Sequence, residues 1–346
     1  MAGKRRAWAT RIGIGVSIIF LYLFLKGIEY RATWEALQQV NYGWLIPVFL
    51  AAYGSLITRA YRWRVFLGAE HPHIKISRLF NTLTIGFFGN AVFPARAGEF
   101  LRSYMLSRQE QVRFTEAFAT VVVERVFDMF ALVLSIVLVF SLAIFPPELK
   151  DSNPDFFRTL QKGSIIIAIA TAGLTFFMCT MVRMPRQCHQ ILLKLTFFLP
   201  KGIQDKLLSA LESFVLGLGI FKDLKATFLA LFWTALVWFC ILLTEYFLIL
   251  AFNFNVSLLQ TMILMVTLAF AVALPQGPGY LGPFQWASKE TLVRFFGVPA
   301  APATAFAILL WFAQQMPIII IGLICLHLEG LTLGQLWRSA KVQEKK

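Results

Sequence analysis

The chain has 346 residues, of which 58% are hydrophobic and only 14% charged, with 35 Phe and a mean hydropathy of +0.70. Soluble domains carry about a quarter charged residues, and no water-soluble core of this length could hide so much apolar surface, so the solvent of this chain is lipid. The net charge of +14 is spread in clusters between apolar runs, which is the positive-inside pattern rather than the single basic face of a nucleic-acid binder; anionic lipid headgroups are the natural counter-charge.

Taken in order, Lys4, Arg5, Arg6 and Arg11 precede an apolar run from Ile12. The KGIEYRATW after that run offers no small-residue cleavage site, so a retained span over 12–28 is expected, with its amino end in the cytoplasm. Glu29, Arg31 and Glu35 lie in a loop without basic excess, which belongs outside. A second span over 44–66 ends in a basic cuff of Arg59, Arg62, Arg64, Lys75 and Arg78. Leu79–Phe93 falls short of the roughly 20 residues a crossing needs and stops at Pro94, after which Ala97–Leu106 is amphipathic. A re-entrant hairpin over 79–107, entering and leaving on the cytoplasmic side, fits that length and charge. Broken backbone at such depth is tolerated only beside protein or a wet cavity.

A span over 114–145 then runs outward to Pro146-Pro147, and 164–182 returns inward. Residues 183–225 form a basic amphipathic stretch expected to lie along the cytoplasmic headgroups. A span over 227–252 carries Glu245 within it, 258–297 is a second short pair broken at PQGPGYLGP, 303–327 crosses inward, and 331–346 is a basic cytoplasmic tail. The fold class expected is all-α: a polytopic membrane protein of about six full spans and two re-entrant hairpins, with 1–145 and 164–330 forming an inverted repeat. The breaks themselves align, Ala91-Val92-Phe93-Pro94 with Gly98 against Val272-Ala273-Leu274-Pro275 with Gly279.

Ionisable residues at bilayer depth point to function. Arg96, Glu99 and Arg102 recur at helical steps on one face, and on the next apolar segment Glu124 and Asp128 share a face within reach of Arg125. Two readings stand side by side. In one, Arg96 and Arg102 hold an anionic headgroup at a half-helix start while the acids keep them poised. In the other, the six residues are an internal ion-pair set that locks the hairpin to its neighbour. Glu245 is either a proton or polar relay or a structural hydrogen-bonding group for a Tyr, Thr or Gln. Gln314 and Gln315, just before Pro317, look like helix-packing groups.

Gly277-Pro278-Gly279-Tyr280-Leu281-Gly282 matches G-x-G-x-x-G in form, but no βαβ context surrounds it. A flexible break with exposed backbone amides is expected instead, so that Pro275, Gly277, Gly279 and Gly282 would serve as a gate. The four cysteines make no C-x-x-C pair and the four histidines have no partner at metal-ligand spacing. No metal, cofactor or catalytic nucleophile is expected, and the chain is not expected to be an enzyme.

Three stretches, NAVFPARAGEFLRSYML, VVVERVFDM and LPQGPGYLGPFQWA, resemble the flippase-like family typified by the membrane region of bacterial lysyl-phosphatidylglycerol synthase/flippases. The resemblance covers nearly the whole chain. It implies a polytopic lipid-translocating fold with re-entrant hairpins; the expected location is a bacterial inner membrane, with both termini cytoplasmic by the placement of their basic residues. Arg96, Glu99, Arg102, Glu124, Arg125 and Asp128 fall on its first polar motif positions, and Pro275, Gly277, Gly279 and Gly282 on its second. The chain departs from the family pattern twice: no soluble aminoacyl-transfer domain succeeds Lys346, so synthase activity is not implied, and Gln285 stands where an acid is often expected. The expected function is movement of a lipid with a phosphate-bearing headgroup between leaflets. The alternatives are a non-transporting membrane subunit or scaffold of a lipid-linked glycan or terpenoid-lipid pathway, or, third, a lipid-modifying enzyme. Oligomerisation is left open.

Overall fold

The computed structural model describes residues 2–68, 71–93, 97–141, 183–196, 201–274 and 277–330, with scattered positions between 162 and 181. Arg96, Pro275, the Pro146-Pro147 turn, most of the 164–182 span and the 331–346 tail lie outside the described residues. Among the described residues the chain is helical, without strands.

The helices are α1 (Ala2–Leu25), α2 (Tyr30–Gln38), α3 (Leu45–Leu67), α4 (Ile76–Val92), α5 (Ala97–Glu110), α6 (Phe114–Ser141), α7 (Pro185–Leu195), α8 (Lys201–Gly217), α9 (Leu224–Ala251), α10 (Leu258–Ala273), α11 (Pro283–Phe296) and α12 (Ala300–Leu328). Tyr42–Leu67, Leu224–Ala251 and Ala300–Leu328 are long and apolar enough to cross a bilayer, while Ile14–Leu25 and Leu258–Ala273 are shorter apolar helices. Large side chains such as Ile18, Ile46, Leu50, Phe228 and Ile324 are exposed along them. In water that would be an aggregation surface; for an integral membrane protein it is the lipid contact.

Local chemistry sets the helix ends. Phe93 and Leu274 each precede a proline, and both are extended (ψ 146° and 148°), so α4 and α10 stop at the same relative place. Asp223 caps α9 by accepting from the amides of Lys225 and Ala226, and Ser257 with Gln260 forms a capping box on α10.

The antiparallel pair α3 and α9 forms the axis. The carboxyl end of α3 (Trp63, Phe66) and the start of α9 (Ala230) share one buried cluster with Leu83, Leu106 and Phe127. The start of α3 (Val48) and the end of α9 (Leu248, Ile249) share another with Leu268, Phe284 and Phe306. Each cluster receives one broken helix pair, α4/α5 in the first and α10/α11 in the second, and α12 packs on both α4 and α11.

The first hairpin closes to backbone contact. A Cβ on Gly98 would run into the carbonyl oxygen of Gly86 and the backbone of Asn90, whose side-chain oxygen accepts from the Gly98 amide at 2.9 Å. Only glycine lets α4 and α5 approach this closely.

One expectation changes: the loop carrying Glu29, Arg31 and Glu35 contains α2, which packs on α12. The stretch over 183–225 includes α7 and α8; α8 packs against α6, and Val215, Leu218 and Ile220 enter the first buried cluster. Docking an apolar helix face on a larger apolar face buries its surface.

Candidate functional site

Three helices bring charge to one place. From α5 come Glu99 and Arg102, three residues apart and therefore facing the same way. From α6 come Glu124, Arg125 and Asp128, and from α3 come Arg59 and Arg62. Glu124 is the hub: its carboxylate lies 2.9 Å from Arg102 Nη2, 3.2 Å from Arg62 Nη2, 3.2 Å from Arg125 Nη2 and 3.9 Å from Arg59 Nη1. Asp128 accepts from Arg62 Nη1 at 2.7 Å and Arg125 Nη1 at 3.3 Å, and Trp238 Nε1 on α9 reaches it at 3.4 Å. Glu99 pairs with Arg125 at 3.6 Å. Arg62, fully buried, also donates to Thr234 at 3.3 Å, and the Arg102 guanidinium lies over the Trp63 ring.

Four arginines thus meet three carboxylates, and their pairing is uneven. Arg62 and Arg102 are held in short contacts behind the cluster. Arg59 reaches its nearest acid only at 3.9 Å, with its guanidinium over the Phe87 ring at 5.2 Å.

Beside this cluster opens a cavity of about 540 Å³ between α3, α4, α5, α6, α9, α10, α11 and α12. Arg59, Glu99, Arg125 and Asp128 reach its surface, and so do Ser55, Trp238, Thr244, Glu245 and Gln314; Leu56, Met265, Leu268, Val272 and Phe284 supply apolar wall. Trp238 and Glu245 are seven residues apart, two turns on one face of α9, which puts Glu245 roughly 10 Å along the helix from the Asp128 contact. The Glu245 side chain makes no hydrogen bond or ion pair among the described residues, and its Oε2 is buried without a partner. The structural bond to a Tyr, Thr or Gln is therefore not found there.

The second break takes a different form. Gly277 donates to Ser17 Oγ on α1 at 2.8 Å, Gly282 donates to Gln285 Oε1 at 2.8 Å, and the Gly279 carbonyl accepts from Trp311 Nε1 at 2.7 Å. Gly282 has φ +98°, and a Cβ there would strike the carbonyl of Ser17 as α1 passes. The amides of Gly277 and Gly282, expected to be exposed, are occupied, and none of Gly277, Gly279 and Gly282 lines the cavity. Gln285, standing where an acid was expected, caps the start of α11. The break meets the first hairpin directly, with Gly279 beside the Ala91 carbonyl.

Of the six polar positions singled out in the sequence, Glu99, Arg102, Glu124, Arg125 and Asp128 do come together; Arg96 lies outside the described residues. Glu99, Arg125 and Asp128 reach the cavity, whereas Arg102 and Glu124 are buried behind it. Arg59 and Arg62 do not belong to the basic cuff in which the sequence placed them. They lie at i, i+3 inside an apolar run, the same signal that marked Glu99 and Arg102, and both turn inward. Arg64 and Arg78 do stay at the cuff: Arg64 donates to the carbonyls of Ile74 and Pro72, and Arg78 pairs with Glu110 and Glu329. Among the described residues no group of three His, Cys, Asp or Glu could hold a metal ion.

Residues 11–322 match the family described as the lysylphosphatidylglycerol synthase TM region. The chain belongs to this family. It is 21% identical to a UPF0104 membrane protein of Pyrococcus horikoshii over 78% of this chain and 82% of that one, and 22% identical to a UPF0104 membrane protein of Methanocaldococcus jannaschii over 85% and 87%. A stretch of 71 residues is 37% identical to the glycosyltransferase AglD of Haloferax volcanii, but this is 20% of the chain and spans only 11% of that protein. No solved structure matches the chain.

Proposed function

We propose that the protein carries an amphiphilic lipid with a phosphate-bearing headgroup between leaflets, without chemistry of its own. The observation that carries this reading is the under-paired Arg59 beside Arg125 at the surface of an apolar-walled cavity. A guanidinium at bilayer depth is expensive, and one that its own carboxylates hold at only 3.9 Å has capacity left for an external anion. The phosphate sits against Arg59 and Arg125, while the acyl or prenyl tail stays among the apolar walls or in lipid. Glu99 and Asp128 hold Arg125 in place, and Arg62, Arg102 and Glu124 act as the buried frame. This shifts the headgroup role from Arg96 and Arg102, as the sequence indicated, to Arg59 and Arg125.

In this reading α4/α5 and α10/α11 are re-entrant pairs related by an inverted repeat of 1–145 and 164–330, among about six full spans, and their alternate opening gives the cavity its two exits. The contact of Gly279 with the Ala91 carbonyl supports an interface between the two breaks. The membrane is a bacterial inner membrane with both termini in the cytoplasm, and the partners are anionic or phosphate-bearing lipids.

The test is reconstitution of the full chain with fluorescent phospholipids. Wild-type vesicles are expected to move the probe between leaflets, and Arg59→Ala to slow it about tenfold or more while the protein still folds. Equal rates for vesicles with and without the protein would end the proposal. The likeness to a protein named a glycosyltransferase favours a second reading, a non-transporting membrane subunit for a lipid-linked glycan; such a protein would bind lipid but leave the probe where it was.

A further inference from the structure

The arginine side of the cavity leaves its other polar groups without a task. Ser55 Oγ donates to the Ala52 carbonyl at 2.7 Å and Thr244 Oγ1 to the Cys240 carbonyl at 2.8 Å, so their protons are used within their own helices and only lone pairs remain for the cavity. Glu245 adds a carboxyl that is 1% exposed and has no partner among the described residues. Gln314, whose amide can accept as well as donate, lines the cavity from the facing α12. Acceptors from α3 and α9 therefore face this part of the cavity, with the Gln314 amide opposite, and an unmatched buried acceptor such as Glu245 Oε2 costs stability until a donor arrives.

We propose that Glu245, Ser55, Thr244 and Gln314 form a second subsite, which takes the N–H or O–H donors of a headgroup whose phosphate is at Arg59 and Arg125. The inference rests on the lipid-carrier reading and names the class of headgroup: one that bears donors beyond its phosphate, an ammonium or a polyol, as against a donor-free one. The spacing suits it. The rise of roughly 10 Å along α9 between the Asp128 contact and Glu245 is of the order that a guanidinium–phosphate contact, a headgroup a few bonds long and one final hydrogen bond span. Trp238, tied to Asp128 at the phosphate end of that span, gives the headgroup a flat apolar flank.

The experiment measures phospholipid binding by the full-length protein in detergent, using native mass spectrometry with phosphatidylethanolamine, phosphatidylinositol and phosphatidylcholine of matched acyl chains. The first has N–H donors, the second O–H donors, and the third a phosphate but no donor. Wild type is expected to prefer one of the donor-bearing lipids over phosphatidylcholine by about tenfold or more, because the choline headgroup leaves the acceptors unmatched. A preference for ethanolamine assigns an ammonium and a preference for inositol a polyol; both support the subsite. In Glu245→Leu the preference is expected to collapse to about twofold or less. Thermal unfolding of that variant is expected at or above the wild-type midpoint, since an unpartnered buried carboxyl is removed.

Three results overturn the subsite: wild type binding all three lipids alike, Glu245→Leu keeping the preference, or Glu245→Leu being markedly less stable, which would make the carboxyl a support of the fold. Failure of the carrier reading looks different. There, no phospholipid binds wild type better than it binds Arg59→Ala.

Discussion

The two broken helix pairs solve one backbone problem with two chemistries. Both first helices end where the residue before a proline turns extended, and the second helices restart after four residues in one pair and nine in the other. The α4/α5 pair is then held by backbone approach at Gly98 and by ion pairs from Glu99 and Arg102 to α6. The α10/α11 pair carries no charge at its break and is held by neutral hydrogen bonds, from the Gly277 and Gly282 amides to Ser17 and Gln285 and from Trp311 to the Gly279 carbonyl. Charge is concentrated on the side where it borders the cavity, and the neutral break is clamped by groups that cost far less to bury. A buried ion-pair network is seldom the most stable filling for its volume, so its presence on one side only points to a use for the charge.

That contrast can be broken by mutation. The largest effect is expected from Gly98→Val, which drives a side chain into the Gly86 carbonyl; folded protein should be lost from detergent extracts, with a cost of about 3 kcal/mol or more. Arg62→Ala comes next. It strips Glu124 and Asp128 of a fully buried partner and should lower stability by about 3–5 kcal/mol, read as a fall in thermal midpoint. If Arg62→Ala proves nearly neutral, the ion-pair frame is not what holds α3 to α6. At the neutral break, Gln285→Ala removes one cap and should cost only about 1 kcal/mol, while Gln285→Glu, which can still accept from Gly282, should stay within about 0.5 kcal/mol of wild type. A larger loss for Gln285→Ala than for Arg62→Ala would invert the comparison. The smallest effect is expected from Arg31→Ala on α2: its pair with Glu35 is largely exposed, and no change in thermal midpoint should be measurable.

Much of the helical layout was legible in the sequence, because the signals are local. Pro94 and Pro275 dictate extended residues before them, and the long apolar runs become α3, α9 and α12, of 23 to 29 residues. The site was half legible. Glu99, Arg102, Glu124, Arg125 and Asp128 stood out because charge inside apolar sequence is costly wherever it falls. Arg59 and Arg62 carried the same signal but lay near a helix end, where an arginine that reaches headgroups and one that turns inward look identical. Glu245 was visible, but its lack of a partner was not.

What the amino-acid order alone determined is the lipid solvent, the long apolar helices, the places where helices break and the family, since each depends on neighbours within a few turns of the chain. What the tertiary structure decided is which charges meet and where a hollow remains. Arg62 finds Asp128 across 66 residues, Ser17 finds Gly277 across 260, and the cavity is the space that eight helices leave between them. Distances between helices come from how their faces pack together, and no window along one strand of sequence contains both faces.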